Sequence, residues 1–340
     1  MLLFRLLTGF CDFYGSNFGN SACITSRAIN PSPGSYYVLD CSYSIMRIIG
    51  SGSVFYFSSS NPVKMLVESS SFYNCSSTDH GGAIHFNCMQ NGGFVSHKVC
   101  ATICYTNNPT EIARGQFIWT NINDTMINGV LLSSICLCSE AVRLQQWYSI
   151  ALYKGNFRFK TTNSSKNTVH HIGIFGTSLC SSLSCGYNNF EQIFSPSGAH
   201  IMNAVTSLDN FIEFSNFINN TNQNSNRGIV DAFEYGIVNI NDCVFTKNTG
   251  LLFSASIKFN LVAKNCYIFH ENGDYQFNST FLNCETREDV GSHNLLFFST
   301  KYCHTLYRIP LIVPKFSCYI DSQNIRKYII SLLAETILID

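Results

Sequence analysis

Charge is scarce in this chain. Its 340 residues hold 21 Lys plus Arg and 21 Asp plus Glu, 12% of the total, where an ordinary soluble domain carries roughly 25%. The two signs cancel, so no net field draws the chain to nucleic acid or to an anionic membrane, and a nucleic-acid partner is excluded on that ground. Long apolar runs are also lacking, none approaching the roughly 18 uninterrupted apolar residues of a membrane-spanning helix. The opening MLLFRLLTGFCDFYGS has the apolar flavour of a signal peptide, but Arg5 splits it and no small-residue cleavage site follows. Strong helix formers are outnumbered, which argues against a helical fold. The close cysteine pairs, Cys100 and Cys104, Cys136 and Cys138, and Cys180 and Cys185, lack the Cys-x-x-Cys spacing that would signal zinc. No metal or cofactor is expected.

What is present is aromatic residues and turn formers. The 28 Phe and 17 Tyr lift the aromatic share to 14%, and Ser, Thr and Asn are left to carry solubility. Short apolar runs punctuated by Asn-Gly, Gly-Gly, Ser-Gly and Asn-Pro read as many short strands joined by turns. The class is all-β, with enough chain to bury a large core. The 16 cysteines invite a disulfide framework, yet such frameworks serve small domains that lack a core. Because Cys75, Cys243, Cys266 and Cys284 stand near aromatic residues, stacked core thiols are the favoured reading, with some disulfides as the alternative for an exported chain. Asn-x-Ser/Thr triplets at Asn74, Asn123, Asn163, Asn219 and Asn278 are about as many as this composition produces by chance.

Self-similarity organises the rest. Phe72-Tyr-Asn-Cys75 recurs as Phe217-Ile-Asn-Asn220, Phe245-Thr-Lys-Asn248 and Phe281-Leu-Asn-Cys284, each after a strand-like run. A second anchor places Gly before an apolar strand: Gly81-Gly82-Ala-Ile-His-Phe86, then Gly115, Gly228 and Gly250 in similar settings. Gly82, Gly115 and Gly228 read as equivalent. Unit starts fall roughly 23 to 35 positions apart; a unit of that length cannot bury an apolar face alone, but stacked units close a continuous core. The expected fold is a right-handed parallel β-helix of about ten coils, on the order of 50 Å long. Residues 1–35 should form an irregular cap and residues 36–300 the coils. Within 301–340, Ser322 to Leu338 has the spacing of a short amphipathic helix.

The pairing of a Phe-x-x-Asn anchor with a Gly-Gly-Ala-Ile strand, best seen in SFYNCSSTDHGGAIHF at 71–86, resembles the right-handed parallel β-helix repeats of polymorphic membrane proteins and autotransporter passengers. Its Cys-, Phe- and Asn-rich character is similar to the repeat surface proteins of parasitic protists. The resemblance spans about residues 36–300. It implies an extracellular, adhesin-like rod at the cell surface or secreted, with a host or cell-surface protein or a glycan as partner.

Three sets of residues offer chemistry. Asp79, His80 and His85 have the makings of a metal or acid/base site, although Asp79 and His80 match a solvated turn in a later unit and His85 lies on a strand. Asp209 and Asp231 are separated by about one coil, with Arg227 and Glu234 nearby, the type of group that polysaccharide lyases and hydrolases assemble from successive coils. The cluster lacks the paired-Asp, His-Gly or Arg-x-Lys signatures of pectin-degrading enzymes. Trp119, Trp147 and Tyr148 are candidates for stacking on sugars, the ordinary role of such aromatics being core packing. Three readings stand: a non-enzymatic surface or structural rod, a carbohydrate-binding module without catalysis, and a carbohydrate-active enzyme. The first is favoured, and the surface should discriminate among them.

Overall fold

In the computed structural model, residues 10–15, 34–107, 114–123, 125–139, 148–170, 174–196, 201–205, 210–232, 236–255, 259–269, 279–287 and 291–295 are described. They form a parallel β-solenoid. A first sheet of ten strands runs from Gly34–Leu39 to Ser279–Leu282, a second of nine from Ser42–Ser44 to Tyr267–Ile268, and a third of eight from Phe55–Ser58 to Phe253–Ala255. Every named strand pair is parallel. The third sheet is eight strands deep, so among the described residues eight coils contain all three long sheets, fewer than the ten expected. Side-chain bonds between successive coils join residues from 21 positions apart, Cys284 to Ala263, to 34, Asn123 to Met89.

The bends explain the repeat. Each first-sheet strand ends in one residue with positive φ, such as Ser69, Lys98, Thr161 or Asp242, and the first eight second-sheet strands end the same way, at residues such as Asn74, Ile103, Asn219 or Lys247. A single left-handed residue turns the chain through a corner and lets the next side chain point inward. Asn tolerates that conformation better than most residues. The β-branched Ile45, Ile103 and Thr161, at φ 57, 58 and 54, are the costly cases. Behind the second bend the inward rung reads Met46, Cys75, Cys104, Cys138, Asn167, Ile193, Asn220 and Asn248, each two positions after a second-sheet strand's last paired residue or its equivalent.

Phe72, Phe217 and Phe245 share one register row of the second sheet and point into the core. Phe217 and Phe245 stack with centroids 4.5 Å apart and planes 5° off parallel. Phe281 is not their counterpart. It pairs with Ala263 in the first sheet, so Phe281-Leu-Asn-Cys284 is a first bend, whereas Phe72-Tyr-Asn-Cys75 is a second. The two bends share a geometry and therefore a sequence signature. Phe281 lies on the core side but belongs to the last described strand of its sheet and is 37% exposed.

The glycines also fall into two rungs instead of one. Counting back from Ile84↔Ile118, Gly115 aligns with Gly81 and not with Gly82. Gly81, Gly115 and Gly250 all have positive φ. Gly82 and Gly228 do not; they are required because a Cβ on Gly82 would sit 2.1 Å from the Gln116 carbonyl oxygen, and one on Gly228 would meet the Phe253 backbone at 2.5 Å.

Within 1–35, Phe10–Tyr14 forms a short helix against the flank of the first sheet, where Phe10 packs with Leu66 and Val95 and the Tyr14 hydroxyl donates to the Met65 carbonyl at 2.7 Å. The expected C-terminal helix at 322–338 lies outside the described residues. No helix among the described residues is long and apolar enough to cross a membrane.

Candidate functional site

The outer face of the third sheet gathers most of the candidate residues. Its register places Tyr56, His85, Trp119, Ala151, Gly176, Met202, Asp231 and Ser254 in one row along the rod. The alternation of the strands explains this: Phe55, Phe57, Ile84 and Phe86 fill the core while the residues between them face out.

At one end of the row the aromatic rings form a stack. Tyr56 lies on His85 at 4.9 Å and 20°, and His85 lies on Trp119 at 4.4 Å and 19°. His80 joins from the corner, 5.5 Å from Trp119 and 16° off parallel. Rings stacked along the rod use their faces on one another and turn their edges outward. A sugar that packs on an aromatic side chain needs a bare face, and these rings use faces on one another. Farther along, Tyr148 is buried and lies over Gly176, where a Cβ would come within 1.7 Å of its ring. Burial raises the hydroxyl pKa of Tyr148 above the usual tyrosine range, its hydrogen bond to Tyr153 adds to the rise, and Arg114 and Arg227 pull it back. Arg114 stands 5.4 Å above the Tyr153 ring.

Asp79 and His80 occupy a corner, and both bond from coil to coil. Asp79 Oδ2 accepts from Ser51 Oγ at 2.8 Å, and His80 Nδ1 accepts from the Arg114 backbone N–H at 3.1 Å. His85 is buried in the ring stack. Among the described residues no three His, Cys, Asp or Glu side chains converge as a metal site.

At the other end, Arg227 Nη1 is 3.5 Å from Asp231 Oδ2, and Ser254 Oγ donates to Asp231 Oδ1 at 2.6 Å while accepting from Gly228 N–H at 2.7 Å. Burial raises the Asp231 carboxyl above its ordinary range, with Ser254 and Arg227 opposing. The structure thus brings Arg227 and Asp231 together. Asp209, Glu234 and Trp147 lie outside the described residues.

A second buried polar group has no counterpart in the sequence reading. On the first sheet's outer face, beside the Phe10–Tyr14 helix, Glu68 Oε1 meets His97 Nδ1 at 2.9 Å and Lys98 Nζ at 4.0 Å, and the Tyr37 hydroxyl donates to Glu68 Oε2. Glu68 and His97 share a register row; aligning whole coils would have paired them, but neither belongs to a recognisable motif.

The thiols divide. Cys75, Cys104, Cys138, Cys185, Cys243 and Cys266 are free and buried, Cys284 is free and half-buried, and Cys41 and Cys100 are disulfide-bonded. Burial raises the Cys104 and Cys185 thiols well above the usual range.

No protein-family model, curated protein or solved structure matches the chain.

Proposed function

We propose that this chain is a non-enzymatic structural or surface β-solenoid, adhesin-like in presenting Asn- and Ser-rich turns along its corners. One observation carries the reading: Asp79, His80 and Asp231, the acid/base candidates set at the corners and on the outer row, each accept a hydrogen bond from a neighbouring coil. Asp79 takes the Ser51 hydroxyl, His80 takes the Arg114 amide, and Asp231 takes Ser254, which in turn takes the Gly228 amide. Groups bound in this way hold one coil to the next, and a substrate would have to displace them. The disulfides at Cys41 and Cys100 support an oxidising compartment, as a surface or secreted protein requires. The buried free thiols are compatible with it, because burial in apolar surroundings and lack of access leave them inert.

The test is direct. Purified protein incubated with pectin, alginate or glucan should release no new reducing ends or unsaturated products. Turnover that disappears in Asp231→Asn would overturn the reading in favour of a carbohydrate-active enzyme. Binding of a soluble glycan without turnover, lost in Trp119→Ala, would favour the carbohydrate-binding alternative.

A further inference from the structure

The five Asn-x-Ser/Thr triplets are indistinguishable as sequence, and the fold separates them. Asn163 is 5% exposed inside a strand: its Nδ2 faces Ser134 Oγ and Ser165 Oγ, both at 3.4 Å, and it accepts from Asn189 Nδ2 at 3.0 Å. A group added to that nitrogen has nowhere to go. Asn74 is half-exposed, as Asn123 is, but its Ser76 is buried in a strand. Asn219 is exposed at a second bend, with Thr221 half-exposed two residues on. Asn123 stands in the turn after the strand Ile118–Ile122, half-exposed, and its Oδ1 accepts from both the backbone N–H of Thr125 at 3.2 Å and the Thr125 hydroxyl at 3.3 Å. Its amide and the exposed hydroxyl of its own triplet are therefore already joined. Asn278 lies outside the described residues.

We propose that Asn123 and Asn219 are sites of N-linked glycosylation and that Asn163 is closed to it. The inference rests on the surface or secreted reading, which the disulfides at Cys41 and Cys100 support. The co-reactant is a polyprenol-diphosphate oligosaccharide. Asn Nδ2 forms a bond to the anomeric carbon as the bond from that carbon to the diphosphate breaks; the diphosphate leaves and one amide proton is lost, with no change of oxidation state. The remaining N–H on Asn123 can keep its long contact with the Met89 carbonyl, now 3.5 Å. Transfer acts on chain that has not finished folding, but a glycan persists in folded protein only where the surface leaves room for a bulky, solvated group.

To test this, the full chain is directed behind a cleavable leader into the secretory pathway of a eukaryotic cell. Peptides from total cell and medium are then mapped by mass spectrometry after release with a peptide N-glycosidase in heavy-oxygen water, so retention in the cell does not hide the result. The expected outcome is label at Asn123 and Asn219 and none at Asn163. Asn123→Gln and Asn219→Gln should each remove one mobility step and the double variant both, with melting temperatures unchanged after enzymatic deglycosylation. Bare Asn123 and Asn219, or a folded product occupied at Asn163, overturns the proposal. The thiol state of the same material separates the two ideas: bare asparagines with Cys41 and Cys100 oxidised sink only the glycan sites, whereas reduced Cys41 and Cys100 in folded protein count against the surface reading itself.

Discussion

The first four coils and the later ones keep the same backbone path by different chemistry. Behind the second bend the early coils stack Cys75, Cys104 and Cys138, whose thiols make long contacts, Cys75 to the Tyr43 carbonyl at 3.8 Å and Cys104 to that of Phe72 at 3.7 Å. In the later coils the same rung holds Asn167, Asn220 and Asn248. Asn220 Oδ1 accepts from the Ile193 amide at 3.0 Å, and its Nδ2 donates to the Phe190 carbonyl at 3.0 Å; Asn248 repeats the pattern with the Asn220 amide at 3.0 Å and the Phe217 carbonyl at 2.8 Å. The corner therefore demands a side chain of a certain volume. Whether that side chain also bonds the backbone is a separate choice, and the halves choose differently: thiols fill space, and amides tie three coils together.

The comparison breaks most completely at the glycines, one in each half. Gly82→Val puts a Cβ against the Gln116 and Tyr105 carbonyl oxygens, and Gly250→Val puts one 1.8 Å from the Asn222 carbonyl oxygen at φ 87. Backbone must move in both, so each should cost at least about 4 kcal/mol and abolish the cooperative melt. Next comes the direct contrast between the stacks. Asn220→Ala leaves the buried Ile193 amide without its partner and takes from the Phe190 carbonyl the bond it makes beside its ladder bond, about 1–3 kcal/mol for the stranded amide and about 1 kcal/mol for the lost bond. Cys104→Ala removes one sulfur from an apolar stack and should cost about 1–2 kcal/mol, at the low end of core truncations. Urea midpoints of the two variants decide the point: equal losses would mean that the asparagines, too, act only by volume.

A smaller effect is visible through pH. Burial raises the folded-state carboxyl of Asp231 above its ordinary value of 3.8, so ionising it costs more in the folded chain than in the unfolded one. The group's contribution is most favourable below about pH 4 and is lost as pH rises through the folded value. Relative to Asp231→Asn, the wild-type chain should therefore lose stability between acid and neutral pH. A difference that is flat with pH would mean that Arg227 and Ser254 fully offset the burial. Smallest of all are Asp79→Ala and His80→Ala, half-exposed at the corner of an early coil. Each loses one hydrogen bond to a neighbouring coil, about 0.5–1.5 kcal/mol by thermal melt.

The repeat was legible because a solenoid makes the same demand every coil. Phe72, Phe217 and Phe245 recur as core fillers, and the Asn74 and Asn219 bends recur because few residues accept positive φ cheaply. That logic also explains where the repeat misleads. Phe281-Leu-Asn-Cys284 copies Phe72-Tyr-Asn-Cys75 because both bends use one left-handed residue followed by an inward side chain, so sequence similarity alone cannot tell the first bend from the second. Gly115 resembles Gly82 in sequence because one glycine rung needs positive φ and its neighbour needs close backbone approach, two requirements that the same residue satisfies.

Composition and periodicity by themselves determined the all-β class, the parallel stacking and the inward aromatic anchors, because these follow from local strand and turn chemistry repeated at a regular interval. Register was decided only by the tertiary structure. Register set Tyr56, His85 and Trp119 face to face, joined Asp231 to Ser254 of the next coil, paired Glu68 with His97 beside a helix from the chain's beginning, and buried Asn163 while leaving Asn219 exposed. Each of those contacts joins residues about one coil or more apart, or depends on which face of a strand a side chain takes. Coil length varies from turn to turn, so neither can be counted off the sequence until the strands are paired.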